Sequence, residues 1–241
     1  MKTRTKALLL ALSAVLLVVA TVFTTLAYLK STSEVATNTF TVGNVQISLD
    51  EALVNEYGEA GKMDGETFTK VATVDEADRV LENTYKLLPG HEYVKDPTVT
   101  VKDKSELCYV RMLVTVQWKE GYTPAGDLAG KTALDVLKGA MPDWVVGDVF
   151  LLQNLVYGWE DSVWVSTQTV ENDTYEFRYH EIVDAREGAV KLDALFDGIV
   201  IPGDIDNDTL ATLNNIQIEV VAHAIQADGF NSAAEAWAEW N

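Results

Sequence analysis

The residues that could do chemistry are few and scattered. His91-Glu92 and His180-Glu181 each open the pattern of a helical zinc hydrolase. That chemistry needs a second His four residues on, on the same helix face. Position 95 is Lys and position 184 is Asp, so both pairs stop short. The third His, His223, sits on an expected strand, on the face opposite Ile218 and Val220. Solvent-facing or hydrogen-bonded imidazoles are the reading for all three. The single Cys, Cys108, alternates with Val110, Met112 and Val114, which points to a buried, inert thiol rather than a nucleophile. One Cys also excludes an intrachain disulfide and a Cys-based zinc or iron–sulfur centre. No nucleophile elbow, phosphate loop or dinucleotide fingerprint is present. No catalytic residue and no cofactor are therefore expected.

Two weaker constellations remain. Asp204, Asp206 and Asp208 have the alternate spacing that lets carboxylates meet on one Ca²⁺. Thr209 stands where a calcium loop needs Gly, and Asn215 where it needs Glu. The other reading is a turn and a helix N-cap before Leu210 and Leu213. Aromatic residues concentrate between Trp144 and Tyr179. Large aromatics are usually core. Trp159 and Trp164 flank Glu160-Asp161 in an expected turn, so these two are the candidates for an exposed surface that stacks on a glycan.

The elements that must position these groups are mostly strands. Leu107–Trp118, Asp173–Glu181 and Asn215–Gln226 alternate apolar and polar residues. Further strands are expected at Thr39–Asp50, Val94–Lys102, Val149–Tyr157, Ser162–Thr167 and Gly198–Ile201. The first changes phase at Gly43-Asn44, which suggests a bulge. Short helices are expected near Lys131–Lys138 and Asp206–Leu213, and after the capping pattern Ser232-Ala-Ala-Glu235. Glu51–Asn83 and Lys119–Asp148 read as insertions or long loops. The fold class is a mostly β, jelly-roll-like antiparallel β-sandwich with short helical insertions.

The chain has 241 residues, 18 Lys+Arg and 37 Asp+Glu, for a net charge of −19. Lys2, Arg4 and Lys6 precede an uncharged run from Ala7 to Leu29. That is the layout of a secretory signal helix, with small residues Thr25 and Ala27 at a cleavage site before Tyr28. An uncleaved anchor is the alternative, and either way the bulk lies outside the cytoplasm. Residues 1–27 are thus the signal peptide, 28–45 an N-terminal arm and 46–241 the β domain. Without the leader the charge falls to −22. So acidic a surface repels nucleic acid, which is excluded as a partner.

Several blocks together resemble a known family. The leader ends in Leu26-Ala27-Tyr28, and Ser31–Thr37 is polar. Asn38-Thr39-Phe40-Thr41-Val42-Gly43-Asn44-Val45-Gln46-Ile47-Ser48-Leu49 follows. Further blocks are Leu88-Pro89-Gly90, Lys95-Asp96-Pro97, Cys108-Tyr109-Val110-Arg111 and Ala224–Phe230. These are similar to the TasA/camelysin family, exported Gram-positive proteins with a SipW-type signal peptide. The resemblance implies processing by a SipW-type peptidase and a structural role at the cell surface or in a biofilm matrix, beside other matrix or cell-wall components. It also implies self-assembly into fibres, with the segment after the cut completing a neighbour's sheet. Tyr28, Leu29, Val35, Phe40 and Val42 are then the donor-strand candidates. Alternatively the stretch is a tethered arm or the first strand of its own subunit. A camelysin-like metallopeptidase activity is implied too, but the His residues give it no local pair. A surface binding module for polysaccharide or host ligand is the other alternative.

Overall fold

The computed structural model describes residues 30–34, 37–38 and 44–240. The leader with Thr25 and Ala27 lies outside them, as do Tyr28, Leu29, Val35, Phe40 and Val42. The described chain is mostly β, in antiparallel sheets. Among the described residues no helix is long and apolar enough to cross a membrane.

Alternation builds the largest sheet. Strand β9 (Ser105–Trp118) turns Cys108, Val110, Met112, Val114 and Val116 inward, all essentially without exposure. Its outward residues Arg111, Thr115 and Gln117 stay half-buried. Strand β18 (Ile216–Gln226) pairs with β9 along its whole length, from Ile216 opposite Trp118 to Gln226 opposite Cys108. Small Ala222 and Ala224 face Met112 and Val110, so large and small side chains interdigitate. On the other side of β9 lie β14 (Thr174–Tyr179) and then β13 (Trp164–Glu171). The tight β13–β14 turn has Asn172 and Asp173 at φ 52° and 60°, the left-handed pair such hairpins require. Strand β15 (Val183–Ala185) pairs with the start of β9.

Strand β1 (Lys30–Glu34) closes the far edge of this sheet. It pairs antiparallel with β18 and folds back onto β2 (Thr37–Asn38).

Two smaller sheets share the core. One runs β16 (Val190–Lys191), β8 (Thr98–Val101), β3 (Ile47–Ala52), β6 (Arg79–Val80). The other runs β12 (Val156–Tyr157), β17 (Gly198–Val200), β7 (Glu92–Val94). Ile47, Leu49, Val99, Val101 and Ile199 meet Val110–Val116 and Val220–Ala224 in one buried cluster. Gly198 is required here, because a Cβ would strike the Tyr93 carbonyl and the Tyr157 ring.

Several expectations change in the structure. The segment Val149–Tyr157 is not one strand. It forms β11 (Val149–Phe150), a single 3₁₀ turn at Leu152–Asn154 and β12. Leu152, Leu155 and Val156 are all buried, and a strand would send neighbours to opposite faces. The supposed loop Glu51–Asn83 contains a hairpin of β4 (Gly61–Asp64) and β5 (Thr67–Lys70), turning at Gly65 with φ 63°. The other, Lys119–Asp148, contains helix α1 (Ala133–Ala140) and β10 (Val145–Val146), which pairs with β11.

Helix α1 starts where its caps dictate. Thr132 Oγ1 accepts from the Asp135 N–H at 3.1 Å, and the Asp135 carboxylate accepts from the Thr132 N–H at 3.0 Å. The helix then buries Ala133, Leu134 and Leu137. Thr132→Ala should cost about 1 kcal/mol in a urea unfolding midpoint, and Thr132→Ser should recover most of it. Equal stability of all three proteins would refute the capping role. Helices α2 (Asn207–Leu213) and α3 (Ala233–Ala238) start at Asp206 and Ser232, whose side chains accept the Thr209 and Glu235 N–H.

Candidate functional site: a groove beside a half-paired strand

The edge of β18 has two parts. Ala222–Ile225 pairs with Ser33–Lys30. Ile216–Val221 has β9 on one side and, among the described strands, no partner on the other. A strand edge left open presents a row of N–H and C=O groups to any extended chain that can reach it.

A cavity of about 520 Å³ opens alongside this free edge. Its walls come from β3, β17, β18, α1, the end of α2 and the 81–87 segment. Leu49, Leu137, Met141, Leu155, Ile199, Ile201, Leu213, Ile218 and Val220 supply apolar lining. Glu82, Lys119, Glu120, Gln217 and Glu219 bring polar groups to it. Leu81, also in the lining, is half exposed. The groove exists because β18 alternates: Ile216, Ile218 and Val220 turn into the core, while among the described strands none pairs with the backbone edge beside them.

One wall carries a polar network. Arg79 Nη1 binds Asp96 at 2.5 Å, and its Nε binds Asp50 at 2.8 Å. Lys95 Nζ binds Glu51 at 2.6 Å. Asn83 donates to Glu51 at 2.8 Å and to the Ala52 carbonyl at 2.9 Å. Tyr85 closes the cluster with its hydroxyl on the Val94 carbonyl, and burial beside Glu51 and Asp96 raises its phenol, keeping it neutral.

The residues singled out in the sequence do not gather here. His91 Nε2 bonds the Tyr57 carbonyl at 2.8 Å, and His180 follows β14 with Glu181 at 3.8 Å. His223 lies on the outer face of β18. Its Nδ1 accepts from Arg111 Nε at 3.2 Å, and its ring stacks on Trp240 at 4.6 Å. The Arg111 guanidinium rests over Trp237 at 4.4 Å and reaches Glu176 at 3.2 Å. Among the described residues no group of three His, Cys, Asp or Glu side chains is arranged to hold a metal. Cys108 is buried, and burial pushes its thiol up to about 12. Asp206 Oδ1 is committed to the Thr209 N–H at 2.8 Å, while Asp204 and Asp208 are exposed.

Of the two tryptophans expected at the surface, one is buried and the other half-buried. Trp164 is fully buried, with Nε1 on the Asp193 carbonyl at 3.0 Å. Trp159 is half-buried, donates to the Trp164 carbonyl at 2.8 Å and meets Phe177 edge-on. Trp164 opens β13 on its inner face, where its register partner is Tyr179, and Trp159 folds back over it. The groove itself has no local signature. Its walls come from segments far apart in sequence, and only the unmatched length of β18 against β1 marks it.

No protein-family model matches the chain, and neither a curated protein nor a solved structure matches it.

Proposed function

We propose that the protein is an exported structural component of a cell surface or biofilm matrix. In this reading it is a jelly-roll sandwich freed from its leader by a SipW-type peptidase. It self-associates by lending residues 28–45 of one copy to another. The observation that carries the reading is the half-paired β18 edge with an apolar groove beside it. Strand addition needs that pair of features: backbone groups for affinity and alternate apolar contacts for register.

The composition of the arm supports its release. Lys30-Ser31-Thr32-Ser33-Glu34 is polar in sequence and joins β18 through four register pairs. A short polar strand gives up little apolar surface on leaving a sheet. The residues that follow include Val35, Phe40 and Val42, which would fill a groove lined by Leu49, Ile218 and Val220 on the acceptor. The charge of −22 opposes close approach of copies, so salt should promote assembly. The polysaccharide-binding alternative drew on Trp159 and Trp164; Trp164 is buried, and the half-buried Trp159 is bonded to the Trp164 carbonyl.

The test is the mature N-terminus by intact mass, then the size distribution with and without residues 28–45. Large assemblies that grow with salt and vanish on truncation are the expected result. Monomers in both forms at high concentration and high salt would sink the reading.

A further inference from the structure

Lys95, Asn83 and Glu51 are 12 and 44 residues apart along the chain, yet their side-chain ends share one carboxylate. Glu51 lies on β3, Lys95 directly follows β7, and Asn83 sits three residues beyond β6. Lys95 Nζ is 2.6 Å from Glu51 Oε2, and Asn83 Nδ2 is 2.8 Å from Glu51 Oε1. The side chains of Lys95 and Glu51 are only 12% and 6% exposed. An ion pair alone would need just two of these residues. The third brings a carboxamide whose two ends are both engaged. Asn83 Oδ1 accepts the Val54 N–H at 2.9 Å, and Nδ2 also donates to the Ala52 carbonyl at 2.9 Å.

We infer that these three residues form a self-modifying site, in which the Lys95 amine and the Asn83 carboxamide join in an intramolecular amide bond with Glu51 as proton shuttle. Each part of that chemistry has its group in place. A buried carboxylate beside an ammonium can take its proton, because the neutral pair is better tolerated away from water than two charges. The amine so freed is the nucleophile, and Asn83 Cγ is the electrophile. The Val54 N–H faces Oδ1, where negative charge develops as the amine adds. The same Glu51 carboxyl already touches Nδ2, so it can protonate the leaving nitrogen. The Nζ–Cγ bond forms and the Cγ–Nδ2 bond breaks. A lysine ammonium and a carboxamide thereby become a secondary amide and an ammonium ion, with no oxidant and no co-reactant. Holding the amine and the carboxamide on one carboxylate supplies the proximity that an uncatalysed amide exchange lacks. The groove beside the site gives the ammonium ion a way out.

The link would close residues 83–95, part of the groove's wall, into a covalent ring through β7. It stands independently of what the groove binds.

The experiment is intact mass and peptide mapping of the folded full chain. Expected is a mass one ammonia below that of the sequence, and a branched peptide joining the Asn83 and Lys95 segments. Asn83→Asp should give the same branched peptide with loss of water instead. Glu51→Gln should remain linear while keeping the wild-type β-sheet circular dichroism. A folded wild-type protein at full mass would overturn the proposal. So would an ammonia loss without a branched peptide, which is a succinimide at Asn83. Should Glu51→Gln fail to fold, the wild-type mass and the Asn83→Asp map still decide.

Discussion

Asp96→Ala should unfold with about 3 kcal/mol less stability than the wild type, the largest loss expected from a single side chain outside the apolar core. Asp96 is 5% exposed and every oxygen it carries is engaged. Oδ1 accepts the Ala52 N–H at 2.6 Å, and Oδ2 accepts Arg79 at 2.5 Å. Its carbonyl accepts the Thr98 hydroxyl at 2.7 Å and a second Arg79 nitrogen at 3.3 Å. Truncation leaves the Ala52 N–H without an acceptor at a position with no exposure, and leaves Arg79 with Asp50 in place of two carboxylates. Removing one member of a buried pair costs about 3 to 5 kcal/mol, and the quarter-exposed guanidinium places this pair at the low end. Asp96→Asn keeps an oxygen for Ala52 and loses the charge, so it should lie between the two. Urea midpoints of the three proteins check this. A loss under about 1 kcal/mol for the alanine variant would mean the network is solvated and replaceable.

That network also shows what could be read in the sequence and what could not. Residues 107–118 and 215–226 were legible because one face of each is apolar without a break, and they became the central strand pair. The helix starts at Asp206 and Ser232 were legible because both are side chains with a specific task at a helix N-terminus. The break in 149–157 was not, since Val149-Phe150-Leu151-Leu152 is apolar without alternation and has no period to read. The hairpin at 61–70 was marked by Asp64-Gly65, a turn signal passed over within a segment rich in acidic residues. Trp164 was misplaced because Glu160-Asp161 signals a turn, and a turn says nothing about the ring three residues later. The groove and the Glu51–Asn83–Lys95 cluster had no sequence signal at all. Both arise where β3, the 81–87 segment and β18 come together, and that meeting is a property of the sheet topology rather than of any local spacing. Nothing in the sequence sets Asp50, Glu51 and Asp96 apart from the other acids; the fold does, by bringing Arg79, Lys95 and Asn83 against them.

The second large effect is acid sensitivity at His223. Burial, helped by the neighbouring Arg111 charge and partly opposed by Glu176, holds its imidazole down at about 4, against about 6.5 for a free side chain. The groups around it explain the direction. Arg111 on β9 points Nε–H at Nδ1, which must therefore be unprotonated. Glu176 on β14 is the nearby anion, but Arg178 shares it. Trp237 and Trp240 of the C-terminal segment close the top and offer no anion. Between pH 6.5 and 4 the unfolded chain binds a proton at this residue and the folded chain does not. Stability is therefore complete above pH 6.5, falls as the pH drops to 4, and loses no more from this group below that. The loss is about 2 to 3 kcal/mol. His223→Asn keeps an acceptor for Arg111 and has no proton to gain, so the pH-dependent difference between variant and wild type isolates this one titration from the many carboxylates. Urea unfolding from pH 7 to pH 4, followed by tryptophan fluorescence, reads it. Parallel curves for the two proteins would show that His223 titrates as freely folded as unfolded. The position gives the effect its interest. His223 is the register partner of Thr32, so the seam that acid loosens is the one that holds β1 on β18. Acid also reduces the negative charge that keeps copies apart. If β1 must leave its own sheet to join another, both effects of acid act in the same direction, and wild type should assemble faster than His223→Asn at pH 4.5 and at an equal rate at pH 7.5.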